Sequence, residues 1–156
     1  MPLNIVLIEP EIPNNTGNIG RLSLASGSNL HLVKPFGFSI DDTRLKRAGL
    51  DYWHHLNIKY YDSIEDFLST NKDVNMVFLS SHGNKPHWQI PFENDMFLVF
   101  GKESVGLPKW VIESHPEKVF RIPIMSKYVR SLNLANAVSV VTYEGQRQLS
   151  MTTHNL

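Results

Sequence analysis

Met96-Phe-Leu-Val-Phe-Gly-Lys-Glu-Ser-Val-Gly-Leu-Pro108 is the stretch on which the fold reading turns. Five apolar residues in a row, Met96 to Phe100, end abruptly at Gly101. Such a short apolar run bounded by a turn signal reads as a strand buried on both faces. A polar turn follows, with Glu103 and Ser104 between two glycines, and Pro108 suits the first turn of a helix through Trp110, Val111 and Ile112. Strand, glycine loop and helix in succession form the unit of an α/β fold.

The same unit recurs in both directions. Upstream, Asn4-Ile-Val-Leu-Ile8 reads as a strand, Glu9 to Asn15 as a loop, and Asn15 or Thr16 as the cap of a helix through Arg21 to Gly27. Leu30 to Val33 and Met76 to Leu79 read as further strands, and Asp62 to Glu65 as a capping box opening a helix through Phe67 and Leu68. Asp41 or Asp42 is expected to start a short basic helix with Arg44, Leu45, Lys46, Arg47 and Ala48. Downstream, Val119 to Ile122 is a strand stopped by Pro123, and Asn133 to Leu149 the longest helix. The expected architecture is one α/β domain over 1–156, a mostly parallel sheet covered by helices on both sides, with residues 151–156 fraying. In such sheets ligands bind beyond the carboxyl ends of the strands.

Composition narrows the function. The chain has 156 residues, 42% hydrophobic and 19% charged, which suits a globular domain and not a disordered one. It has no cysteine, which excludes disulfides, thiol nucleophiles, iron–sulfur clusters and cysteine-type zinc sites. No apolar run approaches the ~18 residues of a membrane helix, and the start of the chain lacks the pattern of a signal peptide, so a soluble, cytoplasmic protein with no membrane partner is expected. Lys and Arg total 15 against 15 Asp and Glu, a net charge of zero that argues at first sight against a nucleic-acid partner. The zero is a sum of opposed regions. Residues 61–117 carry four basic and nine acidic side chains, whereas residues 118–147 carry five basic residues against Glu144 alone.

Three loops at strand–helix junctions are unusually polar. Asn14-Asn-Thr-Gly-Asn-Ile-Gly-Arg21 matches neither G-x-G-x-x-G nor a P-loop, and Arg21 is either a surface residue or one aimed at phosphate or sugar oxygens. In Phe100 to Pro108, Gly101 suits close approach to a flat ligand, and Glu103 can accept hydrogen bonds or orient a cation; a plain tight turn is the alternative. In Ile122 to Ala137, Ser131 or Asn133 is a reasonable N-cap, and Asn133 and Asn136 share a helix face. These two amides either form a buried network or help recognise adenine or methionine.

Asn15-x-Gly-Asn-x-x-Arg21, Phe100-Gly-Lys-Glu-x-x-Gly-Leu107 and Ile122-Pro followed by Arg130-Ser-Leu-Asn-Leu-Ala-Asn-Ala137 resemble, in order and spacing, the three motifs of SPOUT-superfamily RNA 2′-O-methyltransferases. Arg47-Ala-Gly-Leu-Asp-Tyr-Trp53 and Tyr143 to Leu149 are similar to the minimal bacterial subgroup that methylates the ribose of the wobble nucleotide, C or U at position 34, of leucine tRNAs. The resemblance spans about residues 3–149. It implies a C-terminal trefoil knot, which general rules of chain topology would not suggest. It also implies a homodimer, S-adenosyl-L-methionine as methyl donor with S-adenosylhomocysteine as product, and the tRNA anticodon region as substrate. Carried over by position, cofactor contacts are expected from Leu79, Gly101, Ile122 and Ser131, with Glu103 and Asn133 in the same motifs. Arg21, Arg130 and Tyr143 match positions tied to catalysis or RNA engagement. Gly20 stands where some members have Ile, and Val105 where some have Arg.

Methyl transfer from a sulfonium to a ribose hydroxyl needs no metal, and His82 and His87, the nearest approach to a ligand pair, have no matching partners. Arg21 is an awkward base, because a guanidinium keeps its proton in proteins. Arg21 and Arg130 are better read as clamps on phosphate and ribose oxygens, with Tyr143 polarising the hydroxyl. RNA contacts are expected from Arg44, Lys46, Arg47 and Lys127. Tyr52 and Trp53 either stack on an exposed anticodon base or, for Trp53, belong to the core. On the last helix Leu134, Ala137, Val138 and Val141 form one buried face, while Ala135 and Val140 lie off it and suggest a second, partner-covered face.

Overall fold

The computed structural model describes residues 2–40, 43–44, 47 and 50–153. Its seven strands among the described residues form one sheet: β1 Asn4–Ile8, β2 Asn29–Val33, β3 Ile58–Tyr61, β4 Met76–Leu79, β5 Lys85–Pro86, β6 Phe97–Phe100 and β7 Val119–Arg121. The spatial order is β3-β2-β1-β6-β4-β7-β5, and every named pairing is parallel.

Both faces of this sheet are covered, which is why the central strands read as unbroken apolar runs. In β1, Ile5 and Leu7 join Leu98, Phe100, Leu79 and Val77 in a core closed by Ile19, Val138 and Val141. Val6 and Ile8 point the other way, into a core with Phe78, Val99, Ile64, Phe67 and Val111. The helices behind those residues are α1 Pro13–Ser26 and α4 Leu134–Thr153 on one side, α2 Ile64–Thr70 and α3 Lys109–Ser114 on the other.

Several boundaries differ from the expectations. α1 begins at Pro13, not at Asn15 or Thr16, because proline is tolerated at the first helical position. It ends as expected at Gly27, whose φ of 67° is the left-handed conformation glycine adopts without penalty. The cap of α2 is Ser63, whose hydroxyl accepts from the Asp66 N–H, while Asp66 accepts from the Asp62 N–H; the box is shifted by one residue. α4 extends to Thr153, four residues beyond the expected end at Leu149. β3 and β5 carry little signal of their own. β3 is an edge strand with Tyr61 its one fully buried residue, and β5 is two residues long and ends in Pro86, as edge strands permit. Of the expected basic helix, Arg44 and Arg47 are helical and exposed; Asp41, Asp42, Leu45, Lys46 and Ala48 lie outside the described residues.

The topology sets the ligand end. β7 follows β5 in sequence yet lies between β4 and β5. Gly83, in the connection from β4 to β5, lies so close to β7 that a Cβ there would sit 2.5 Å from the Phe120 carbonyl carbon. The chain thus delivers the carboxyl ends of β6, β4 and β7 side by side, with Phe100 opposite Leu79 and Leu79 opposite Phe120.

Candidate active site

Leu79, Gly101 and Ile122 therefore stand at the carboxyl ends of three adjacent strands, as the last residue of β4 and the first residues beyond β6 and β7. Leu79 and Gly101 are buried and Ile122 half-buried, an apolar floor for a planar group. From Ile122 the chain runs to Asn133 without helix or strand, and Met125 to Asn133 are exposed. Ser131 lies in that exposed segment, as do Lys127 and Arg130.

Gly101 has an internal reason to lack a side chain. A Cβ there would sit 2.2 Å from both the Gly106 carbonyl carbon and the Leu107 nitrogen. The loop doubles back on itself, closed by the Gly106 N–H to Lys102 carbonyl bond of 2.9 Å, with Gly106 at a φ of 73°. Gly101 and Gly106 thus serve the turn, and the space beside Gly101 is taken by this chain's own backbone.

Glu103 is presented by this turn to the start of α1. That helix has no side-chain cap of its own, since Ile12 occupies the N-cap. Glu103 supplies the missing acceptor from a distance: Oε1 accepts from the Glu11 N–H at 2.8 Å and Oε2 from the Ile12 N–H at 2.9 Å. A carboxylate at a helix N-terminus also meets the positive end of the helix dipole. Glu11 returns the contact, accepting from the Ser104 N–H at 2.8 Å, and hydrogen bonds from Ser104 hold its carboxyl below the ordinary value. Lys102 reaches Glu9 at 3.4 Å beside them.

The same carboxylate ties in the third loop. Asn15 Nδ2 donates to Glu103 Oε2 at 3.1 Å, and Asn15 Oδ1 accepts from Asn133 Nδ2 at 3.0 Å. Asn133 then caps α4, its Oδ1 accepting from the Asn136 N–H at 3.2 Å. One chain of hydrogen bonds thus joins all three polar loops. Asn133 joins this network while itself exposed, and Asn136 enters it through its backbone and is exposed too. Glu103, expected beside a cofactor, spends its carboxylate on these internal bonds.

Arg21 on α1 and Tyr143 on α4 are exposed, like Arg130, and no hydrogen bond joins these three among the described residues. Lys127 lies over the Tyr128 ring at 5.4 Å. Arg44 and Arg47 are exposed, and Lys46 lies outside the described residues. Trp53 packs against the main core, so the core reading holds for it. Ala135, expected on a second face of α4, also packs on the core, whereas Val140 is exposed. His82 is exposed; His87 is buried against Trp88, and burial lowers its pKa. Glu11 and the backbone of residues 11–12 were missed by the sequence reading, because their partners lie about ninety positions away and leave no local signal.

Comparison with known proteins agrees with this geometry. Residues 2–143 match the SpoU rRNA Methylase family. The tRNA (cytidine(34)-2′-O)-methyltransferase of Yersinia pestis is 45% identical, the alignment covering 94% of each chain. A solved structure described as giving insight into 2-OH methylation of C/U34 on tRNA superposes with a TM-score of 0.91 at 41% identity, covering 96% of this chain and 97% of that one. An AdoMet-bound rRNA methyltransferase from Sinorhizobium meliloti superposes with a TM-score of 0.83 at 26% identity, covering 95% of this chain and 57% of that one.

Proposed function

The chain belongs to the SpoU rRNA Methylase family, and on that premise we propose that it methylates the 2′-hydroxyl of the wobble nucleotide, C or U at position 34, of leucine tRNAs. The observation that carries this reading is the bond chain Glu103–Asn15–Asn133, which holds three loops around the carboxyl ends of β6, β4 and β7. The cofactor is S-adenosyl-L-methionine. The apolar surface of Leu79 and Ile122 suits an adenine ring, and the backbone at Gly101 and from Ile122 through Ser131 offers amides and carbonyls to its polar edge. When bound, it supplies a methyl group already activated by a cationic sulfur.

The protein's own task is then placement. Holding the ribose hydroxyl in line with the methyl group is worth the most, since well-oriented groups reach effective molarities of ~10⁵ M or more. Arg21 and Arg130 clamp phosphate and ribose oxygens through their forked N–H donors, and Tyr143 hydrogen-bonds the 2′-oxygen, whose proton passes to water as the oxygen–methyl bond forms and the sulfur–methyl bond breaks. Glu103 and Asn133 act behind this surface by fixing the starts of α1 and α4, the helices that carry Arg21 and Tyr143.

The assembly is a homodimer working in the cytoplasm. α1 and α4 pack together and leave Leu24, Val140 and Tyr143 exposed, a surface suited to a second copy. A dimer doubles the basic 118–147 segment, so phosphate attraction is local while each chain stays neutral. The insertion of β7 between β4 and β5 supports a trefoil knot at this end. No helix among the described residues is long and apolar enough to cross a membrane.

The test is incubation with tritiated S-adenosylmethionine and unmodified leucine tRNAs, followed by mapping of the label. Label on the 2′-oxygen of nucleotide 34 is expected. Label elsewhere would assign a different RNA site, and bound cofactor without transfer would make the chain a non-catalytic RNA-binding relative.

A further inference from the structure

An arginine on a helix surface carries its guanidinium on a flexible three-methylene stem, and in Arg21 one face of that guanidinium is occupied. Its guanidinium carbon lies 5.2 Å from the centre of the Tyr52 ring. Tyr52 belongs to the 3-10 turn Leu50–His55, and that turn is docked on α1 by its neighbour. Gly20 makes the docking possible: a Cβ there would sit 2.8 Å from Trp53 Cζ3 and 2.9 Å from Leu56 Cδ1. Trp53 in turn packs on the main core, and the Leu56 N–H closes the turn onto the Trp53 carbonyl at 3.1 Å. Two consecutive residues of the turn thus meet two consecutive residues of the helix, Trp53 on Gly20 and Tyr52 on Arg21. Arg21, Tyr52, Leu24 and Ala25 together line one shallow depression.

We propose that Tyr52 is a positioning residue for Arg21: its ring holds the guanidinium flat against α1 so that the in-plane N–H donors face outward, ready for substrate oxygens. A cation over an aromatic face uses the face and leaves the N–H edge free. A long flexible side chain otherwise loses several rotors on engaging a phosphate or ribose, and a partner that has already ordered it removes part of that loss. The inference rests on the reading of Arg21 as a contributor to methyl transfer.

The test is steady-state methylation of unmodified leucine tRNA by the full chain carrying Tyr52→Phe, Tyr52→Leu, Arg21→Ala or Arg21→Ala with Tyr52→Leu. Tyr52→Leu should lower kcat roughly 3- to 10-fold with the KM for cofactor unchanged, and Tyr52→Phe, which keeps the ring, should restore kcat to within about twofold. In the Arg21→Ala background, Tyr52→Leu should cost nothing further, because the group it positions is gone. Tyr52→Gln provides the same comparison if Tyr52→Leu melts early. Wild-type kcat in Tyr52→Leu overturns the proposal, as do penalties that multiply in the double variant. Equal losses in Tyr52→Phe and Tyr52→Leu also overturn it, by assigning the role to the hydroxyl. Wild-type turnover in Arg21→Ala overturns instead the reading of Arg21 on which the proposal stands.

Discussion

The Glu103 carboxylate accepts from the Asn15 side-chain amide at 3.1 Å, across 88 positions of sequence. This one contact links the turn after β6 to the start of α1, and through Asn133 to the start of α4. Residues that look like three separate motifs form one hydrogen-bonded unit.

Glu103→Ala should therefore act on stability and activity together. It leaves the Glu11 and Ile12 N–H groups and the Asn15 amide without their acceptor. The expected cost is about 1–2 kcal/mol in a denaturant titration, as for a lost helix cap. Cofactor affinity, measured by calorimetry, should fall in the same variant because the loop from Ile122 to Asn133 loses its tether. Unchanged stability would show that water replaces the carboxylate at no cost.

Gly101→Ala tests the turn directly. The added Cβ would stand 2.2 Å from two backbone atoms of residues 106 and 107, which no side-chain rotation can relieve. We expect destabilisation by about 1–3 kcal/mol or more, read as a lower melting temperature, together with loss of cofactor binding. An alanine variant with wild-type melting would mean that the turn has room it does not show.

The pH dependence of stability should carry the mark of His31. This imidazole is a buried side chain of β2, with Nε2 2.9 Å from Asn4 Oδ1 and Nδ1 2.9 Å from the Tyr61 hydroxyl. Asn4 Oδ1 can only accept, so Nε2 carries the proton, and in the neutral ring Nδ1 accepts from the Tyr61 hydroxyl. Burial first, and the nearby Lys59 second, lower its pKa to about 4. The unfolded chain, with an imidazole near 6.5, binds more protons than the folded chain between these values. Stability from this group is thus complete above about pH 6.5 and is lost as pH falls towards 4, by about 3 kcal/mol at most. Melting temperature measured from pH 7 to pH 4 should drop in the wild type and drop less in His31→Gln. Parallel curves would remove His31 as the cause.

Kinetics should separate the exposed groups. Tyr143→Phe should lower kcat at saturating tRNA and cofactor by about 10-fold or more if its hydroxyl assists proton loss. Arg130→Ala should raise the KM for tRNA more than it lowers kcat, as loss of a phosphate contact does. Turnover unchanged in Tyr143→Phe would leave Tyr143 a surface residue of α4, which its exposure would equally suit.

The central strands were legible because each is a short apolar run cut by glycine or proline, and burial on both faces demands that pattern from Asn4 to Ile8 and from Phe97 to Phe100 alike. Helix ends with local chemistry, Ser63 and Gly27, could also be read to within a residue or two. β3 and β5 escaped because edge strands need bury little, and Lys59 and Pro86 break the pattern. The three polar loops likewise announced themselves by residue type. What sequence alone determined was the inventory: the central strands, the polar loops at their ends, and an absence of cysteine that leaves thiol chemistry out. Tertiary structure decided which partners those polar groups take. Glu103 accepts from the backbone at the start of a helix some ninety residues earlier, and Gly20, which stands where some family members have Ile, is the seat of Trp53. Hydrogen bonds and close packing act over about 3 Å in space whatever the separation along the chain, and strand order alone brings these residues together.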